Sequence, residues 1–505
     1  MKKKQAAMTM STVLLLSSIL AACGGDKQAQ GDKQGAAGGN APYPLTMVVN
    51  QVGEIPPKDN EIEKAIKAYT NTDLQIQWIP TSSYDEKVNV MIASNELPKL
   101  MKLNYTATIV GALKSDIFWE IGPYLKDYKN LSAQNQQFYD NISVNGKIYG
   151  VPLFRELGRA VIHYRKDWFD AAGVQVPKTL DDWYNVIKAM TQGDPDKNSK
   201  NDTYGFMLDK KYNQDAASTL TRLSVAQGGP NKWQVDASGS FVPEFMTTPF
   251  FDTMKLFRKL YEEKLINQDF AVVDATEIDK AYESGRTAIR ISGGNAQSIQ
   301  DKLVKVVPTA VVDAAAIEGP NGRRLPGESG NAGFLAIPKQ SVKSVDELKQ
   351  VLAFVDKLMD PQMATLLVKG VEGKHWEDKG DVTVPLDPAA DAKEVKPYRD
   401  TLPQRGESYN IAKPMKQTDL FRKNGQITKD NEKYIVANPA LTLDSATYSE
   451  RGKELEQMIS DAQTKFIMGK IDEAGWKAEV EKWKKAGGDK LAQEYKEAYE
   501  KSKKK

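Results

Sequence analysis

The sequence predicts an α/β protein in which a parallel sheet with helices on both faces leads and a helix-rich C-terminal part follows. Three observations carry this. Between residues 46 and 103, β-rich runs and amphipathic helices alternate in the order β-α-β-α-β. Helix starts carry capping signals at Ser82-x-x-Asp85, Thr179-x-x-Asp182 and Ser344-x-x-Glu347. Beyond residue 440 apolar residues recur at helical spacing.

Taken in order, 46–50 is the first strand. Ile62, Ala65, Ile66 and Tyr69 fall on one helix face. Leu74, Ile76 and Trp78 alternate, as in a half-buried strand. Val88, Met91 and Ile92 line the next helix, and Pro98 precedes a strand at 99–103. Residues 115–149 are helical and loop-rich and end in the turn signal Asn145-Gly146. A strand at 161–164 follows. Trp183, Val186, Ile187 and Met190 form the face of a capped helix, 250–266 is a further helix, and 288–291 and 333–337 are later strands. Leu348, Val351, Leu352 and Val355 turn inward on the helix after Ser344. Leu455, Met458, Ile459 and Ala462 mark one C-terminal helix, and Trp476, Val480 and Trp483 another. Trp78, Trp183, Trp476 and Trp483 read as packing residues.

Composition narrows the function. The chain has 505 residues, room for about two to four domains. Its single cysteine makes no internal disulfide, CxxC pair or thiolate zinc site. The two histidines, His163 and His375, leave little room for a multi-histidine metal centre, and no Ser-His-Asp arrangement is visible. Neither GxxxxGK[ST] nor GxGxxG occurs. The net charge of +2 includes Lys2, Lys3 and Lys4 at the N-terminus, so the body lacks a nucleic-acid footprint. Acidic pairs such as Asp181-Asp182 and Glu262-Glu263 fit helix starts or surfaces better than a catalytic pair.

The N-terminus indicates the compartment. A basic start precedes an apolar stretch at 8–22, too short to span a bilayer comfortably and suited to secretion. It ends in Leu20-Ala21-Ala22-Cys23, which resembles the bacterial lipobox. That resemblance makes 1–22 a signal peptide and Cys23 the lipid-carrying first mature residue. An ordinary signal peptide with a chance cysteine is the simpler alternative. Residues 23–43 have little to bury and read as a flexible tether of about 25 Å root-mean-square span. The expected location is the extracellular face of the cytoplasmic membrane.

Six stretches, in order, carry a wider resemblance: 84–98, beginning Tyr84-Asp85-Glu86-Lys87; Asn145-Gly146-Lys147-Ile148-Tyr149-Gly150-Val151-Pro152; Tyr164-Arg165-Lys166-Asp167-Trp168 through Trp183; Ser284-Gly285-Arg286-Thr287-Ala288; Gly370-Val371-Glu372-Gly373-Lys374-His375-Trp376; and 447–488. Over about residues 45–500 the chain resembles the extracellular solute-binding proteins of ABC importers, family 1, carbohydrate type, and within it the large Gram-positive lipoproteins of the LipO type. The resemblance implies a periplasmic-binding-protein-like fold of two α/β lobes, with a hinge and a cleft between them. Lobe one is expected at 44–157 and 288–338, lobe two at 158–287 and 339–505. The implied function is capture of an oligosaccharide or other small solute by hinge closure and delivery to permease subunits. The implied partners are that solute, the permease and, through the lipid, the membrane. The protein is expected to be a monomer without catalytic cofactor.

Ligands of open α/β sheets bind at the C-terminal ends of strands. Gln51, Asn104 and Tyr105, Arg155 in the expected hinge, and Asn295 after Gly293-Gly294 are therefore candidate contacts. His375 and Trp376 add a ring donor-acceptor and a stacking face. Asp194, Asp196, Asn198 and Asp202 place side-chain oxygens at positions 1, 3, 5 and 9 of a loop, with the Lys200 carbonyl at 7. That is the spacing of an EF-hand-like Ca²⁺ loop, and related binding proteins carry a similar one. Ser199 replaces the turn glycine, and Gly205 stands where the twelfth-position glutamate belongs, so a distant carboxylate is needed. A solvated polar turn is the alternative reading. Two other functions are compatible with the sequence: a surface-anchored glycan hydrolase or lyase, and an adhesive lipoprotein with no small ligand.

Overall fold

The computed structural model describes residues 41–380, 382–404 and 416–503. Cys23 and nearly all of the tether lie outside the described residues. From Pro42 onward the chain is one unit built on two main sheets.

The first sheet has the order Thr72–Pro80, Tyr43–Gln51, Leu100–Leu103, Asn331–Ala336, Gly150–Phe154. Its first three strands are parallel, with Met47 opposite Ile76 and Leu100. Asn331–Ala336 runs antiparallel to both neighbours, so the sheet is mixed. Both faces are buried, which is why the first strand reads as a near-continuous apolar run. Leu45, Met47 and Val49 enter one core with Ile62, Ile66, Leu348 and Val351, and Val48 enters the other with Tyr84, Val88 and Ile109. The helix Glu61–Thr70 is fixed at both ends: the Asn60 side chain accepts from the Ile62 and Glu63 N–H groups, and Asn71 closes it at φ 54°. Thr179 and Asp182 form the full capping box, and Ser344 accepts from the Glu347 N–H. The box expected at 82–85 does not form. Thr81–Ser83 is a 3₁₀ turn, so the chain passes straight from strand to helix and Ser83 makes no side-chain cap.

The second sheet has the order Val312–Ala316, Val161–Arg165, Thr287–Ser292, Tyr204–Phe206. Val161–Arg165 is antiparallel to both neighbours, and Tyr204–Phe206 is parallel to Thr287–Ser292. These pairings group the strands differently from the expected lobe assignment. Thr287–Ser292 and Val312–Ala316, expected in lobe one, belong to the second sheet. The helices Val345–Leu358 and Pro361–Lys369, with Val395, Tyr398 and Leu402, were expected in lobe two and pack in the first core. The first sheet and its cores thus draw on residues within 42–157 and 328–404, called lobe one below, and the second sheet and its core on residues within 158–327 and 416–503, called lobe two. Alternation tells which face of a strand is buried; only its hydrogen-bonded neighbour tells which sheet it joins.

Two of the sequence stretches above are explained here. The buried Arg165 guanidinium donates to both Asp167 oxygens at 2.9 and 2.6 Å and lies 4.1 Å from the Trp168 ring centroid. Gly285, at φ +80°, lies over it, and a Cβ there would stand 3.5 Å from Arg165 Nη1 and 3.0 Å from Val307. Leu455, Ile459, Trp476, Val480 and Trp483 pack into the lobe-two core, as their spacing predicts.

Strand direction locates the cleft. The strands ending at Gln51, Pro80, Leu103 and Phe154 all point toward the segment 155–160, which leads into the second sheet. The second sheet meets that segment with the start of Val161–Arg165 and the ends of Thr287–Ser292, Tyr204–Phe206 and Val312–Ala316. A second crossing, 326–331, returns beside the first, with the Glu328 N–H donating to the Leu157 carbonyl at 3.0 Å.

Candidate functional site: the cleft at the facing strand ends

On the lobe-one wall, Asn50 is buried and its Oδ1 accepts from Lys102 Nζ at 2.6 Å, while its amide donates to Thr81 Oγ1 at 3.3 Å. Thr81 Oγ1 in turn donates to the Gln51 carbonyl at 2.6 Å. Gln51 Nε2 donates to the Gly53 carbonyl at 2.9 Å. Asn104 Nδ2 donates to Asp85 Oδ1 at 2.6 Å, and the Tyr105 hydroxyl to the Ser143 carbonyl at 2.8 Å. Burial pushes the Tyr105 hydroxyl well above its ordinary pKa, so it stays a neutral donor. Burial likewise lowers the Lys102 ammonium, with the nearby Arg155 charge acting in the same direction and Asp85 against it. Gly333, at φ +99°, lets the strands close here: a Cβ would come within 2.7 Å of both the Leu103 carbonyl and Lys102 Cε. Arg155 is anchored by its backbone N–H on the Gly330 carbonyl at 2.9 Å and leaves its side chain exposed.

The hinge is built on Glu328. Its Oε1 accepts from buried Arg222 Nη2 at 2.8 Å, and its Oε2 lies 3.7 Å from Arg159 Nη1. Arg222 also donates to the Ile291 carbonyl at 3.1 Å, and its Nε has no partner among the described residues. On the lobe-two side a cavity of about 490 Å³ is lined by Asn321, Arg323, Arg324 and Tyr434 among others. The Arg323 guanidinium lies 5.2 Å from the Tyr434 ring centroid, and that tyrosine is 45% exposed. Arg324 donates to the Gly229 carbonyl at 3.1 Å, while its buried Nε has no hydrogen-bond partner among the described residues.

Gln51 ends a strand of the first sheet, and Asn104, Tyr105 and Arg155 directly follow strands that run the same way, with the Tyr105 ring packed against a core. Asn295 also follows a cleft-facing strand, but its side chain caps the helix Ala296–Leu303 by accepting from the Gln297 N–H. His375 and Trp376 are packed inside a loop of lobe one. His375 Nδ1 accepts from the Val371 N–H at 3.0 Å, Nε2 lies 3.4 Å from Glu394, and the Trp376 indole donates to the Gly370 carbonyl at 2.9 Å. A Cβ on Gly370 would stand 2.6 Å from His375 Nδ1, so that stretch, too, is a packing motif. Sequence reasoning missed Asn50, Lys102, Arg159, Arg323, Arg324 and Tyr434. Only Lys102 gave a signal: a charge inside the buried run Leu100–Leu103.

In the 194–202 loop, Asp194 accepts from the Asn198 and Ser199 N–H groups, both at 3.0 Å. The Asn198 amide donates to Asp196 at 2.8 Å and Asp202 at 3.1 Å. Ser199 takes the left-handed conformation of the glycine it replaces, at φ 61°. Partial burial, then Asp194 and Asp202, hold the Asp196 carboxyl above its ordinary pKa. Among the described residues no three His, Cys, Asp or Glu side chains gather as a metal site. The donor set nonetheless suits a hard cation once Asn198 turns its amide oxygen inward.

Two hinged α/β lobes with polar groups at the facing strand ends define a two-lobed binding protein. Residues 54–365 match the model of the bacterial extracellular solute-binding proteins. Lipoprotein LipO of Bacillus subtilis is 38% identical over 450 residues, covering 87% of this chain and 89% of its own. The polygalacturonan/rhamnogalacturonan-binding protein YtcQ of Bacillus subtilis is 35% identical over 511 residues, covering 100% of both. The substrate-binding protein FusA of Streptococcus pneumoniae, solved as an EF-hand mutant with fructo-nystose, shares the fold at TM-score 0.65 and 16% identity, over 91% of this chain and 99% of its own. The chain belongs to the bacterial extracellular solute-binding protein family, and it is a binding protein rather than an enzyme.

Proposed function

We propose that the protein is the lipid-anchored substrate-binding component of an ABC importer, taking up an oligosaccharide by closure of its two lobes and presenting it to a permease. The observation that carries this is the set of amides and hydroxyls fixed at the strand ends of the first sheet, to which a separate cavity in lobe two adds an exposed Tyr434 ring. Neutral donors and acceptors suit sugar hydroxyls, and an aromatic face suits their C–H surface. The names of YtcQ and FusA place glycans among the solutes of relatives. The test is a thermal-shift screen of soluble protein beginning after Cys23 against mono- and oligosaccharides. A ligand at 100 times its Kd stabilises by about 2.7 kcal/mol. Recovery of the sugar unchanged separates binding from a hydrolase or lyase, and a wholly silent panel removes the carbohydrate reading.

Anchoring through Cys23 at the extracellular face of the cytoplasmic membrane rests on the lipobox and on likeness to LipO. Cys23→Ala should release the protein from the membrane fraction. A structural Ca²⁺ held by Asp194, Asp196, Asn198, the Lys200 carbonyl and Asp202 is supported by the oxygen spacing of the loop and by the left-handed conformation of Ser199 at the turn position. A melting temperature equal in excess EDTA and in millimolar Ca²⁺ refutes it.

A further inference from the structure

Among the described residues the chain passes between the two main sheets twice, at 155–160 and 326–331. Three asparagine side chains meet these crossings, and each carboxamide nitrogen donates to two backbone carbonyls. Asn431 is fully buried at the end of the helix Asp419–Asn431 in lobe two. It donates to the Gly158 carbonyl at 2.9 Å and to the Ala160 carbonyl at 3.0 Å. Asn231, also fully buried in lobe two, donates to the Gly327 and Val436 carbonyls, both at 2.9 Å. Asn141, in lobe one, donates to the Ser329 carbonyl at 3.0 Å and reaches the Glu328 carbonyl at 3.5 Å. The two lobe-two amides leave Oδ1 buried with no hydrogen-bond partner among the described residues. An unmatched buried acceptor is unfavourable, and the two donated bonds must offset it. Gly158 lets Asn431 approach: a Cβ there would stand 2.6 Å from Asn431 Cβ.

A peptide unit is planar, so a bond to its carbonyl holds the whole unit. In the second crossing the unit after Gly327 is tied to lobe two and the unit after Glu328 to lobe one. Only φ and ψ of Glu328 lie between them. In the first crossing the Arg155 N–H is tied on the lobe-one side, to the Gly330 carbonyl at 2.9 Å. The Leu157 carbonyl accepts at 3.0 Å from the Glu328 N–H, which belongs to the unit that Asn231 holds. The freedom there is confined to Arg155, Glu156 and Leu157. We infer that Asn431, Asn231 and Asn141 are positioning residues for lobe closure: they set its axis, which runs through the backbone of Glu328 and of residues 155–157. This rests on the closure in the proposed function and adds where it turns. A few loop residues that absorb the φ/ψ change are what a hinge requires.

The test needs no ligand. Cys23 is the chain's one cysteine, so the soluble chain beginning after it takes dyes at Val90→Cys in lobe one and Val306→Cys in lobe two, both exposed. Single-molecule energy transfer reads the distribution of lobe-to-lobe distances, and amide hydrogen exchange reads the crossings. Asn431→Ala, Asn231→Ala and Asn141→Ala should each broaden the distribution. Each should also speed exchange at 155–160 or 326–331 about tenfold, as the loss of one or two hydrogen bonds warrants. Gly158→Ala, which displaces Asn431 from the other side, should do the same. Asn267→Ala is the control. That side chain is 3% exposed and also bonds backbone twice, at the Leu208 N–H and carbonyl, but wholly within lobe two. It should lower the melting temperature and leave the distance distribution unchanged. Where a fully buried variant does not fold, Asn141→Ala decides by the same two readings. Distributions unchanged in the crossing variants, or broadened as much by Asn267→Ala, overturn the inference and leave the oligosaccharide reading intact. A silent sugar panel overturns that reading and leaves the axis in place.

Discussion

Replacing Glu328 by Ala should destabilise the protein more than removing the buried arginine it holds. Arg222 is buried and keeps one carbonyl contact, at 3.1 Å to Ile291. Without the carboxylate at 2.8 Å its guanidinium is a buried charge with no counter-ion. Breaking a buried pair in this way costs about 3–5 kcal/mol. Glu328 is 15% exposed, so water and Arg159 relieve part of that, and the lower end, about 3 kcal/mol, is expected. Arg222→Met removes the charge and keeps most of the volume. Glu328 then still has Arg159 and solvent, and the expected loss is about 1 kcal/mol or less. The assay is urea unfolding of the ligand-free chain, comparing midpoints at equal slope. If Arg222→Met proves as damaging as Glu328→Ala, the pair is ordinary packing and the hinge argument fails.

His163 should make stability depend on pH. It is buried on Asn424, 2.8 Å away, and burial lowers it from 6.5 to about 4. The unfolded chain takes up a proton below 6.5 that the folded chain refuses until about 4, so stability falls as pH drops through that window. The loss approaches about 3 kcal/mol at its acid end, and His163→Gln should flatten the profile in acid melts. Across the cleft, Lys114 Nζ meets Asp444 at 2.6 Å, joining the lobes away from the hinge crossings. Both are partly exposed, so reversing one charge should weaken ligand binding less than about fivefold, and reversing both should restore it. A double reversal as weak as the singles refutes a contribution of this ion pair to binding. Gly370→Ala would force a Cβ within 2.6 Å of His375 and Val395 at φ +80°. It should cost about 1–3 kcal/mol, read by thermal melt, with no change in sugar specificity.

What could be read from the sequence, and what could not, divides by the range of the physics. Caps are local: Thr179 with Asp182, and Ser344 with Glu347, were legible because donor and acceptor lie three residues apart. The strand-end positions of Gln51, Asn104 and Tyr105 were legible because each lies at or just past the end of a strand with a clear apolar pattern. Lobe membership was not legible. Thr287–Ser292 has the same alternation whether it pairs with Leu100–Leu103 or with Val161–Arg165, and only tertiary pairing decides. The lobe-two wall failed for another reason. Arg323, Arg324 and Tyr434 sit beside two-residue strands, too short for any period to show.

The same distinction explains why six similar-looking stretches turned out unequal. Those around Arg165 and Gly370 combine a glycine at positive φ with a large polar side chain that the glycine lets pack close. Their composition looks like a binding site because a buried arginine or histidine needs fixed partners wherever it sits. Partnering separates the cases. Arg165 donates to Asp167 two residues away and His375 accepts from the Val371 N–H four residues away, although Arg165 Nη1 and His375 Nε2 have no hydrogen-bond partner among the described residues. Lys102, by contrast, reaches 52 residues along the chain to a neutral amide. A charged group satisfied locally is holding its loop.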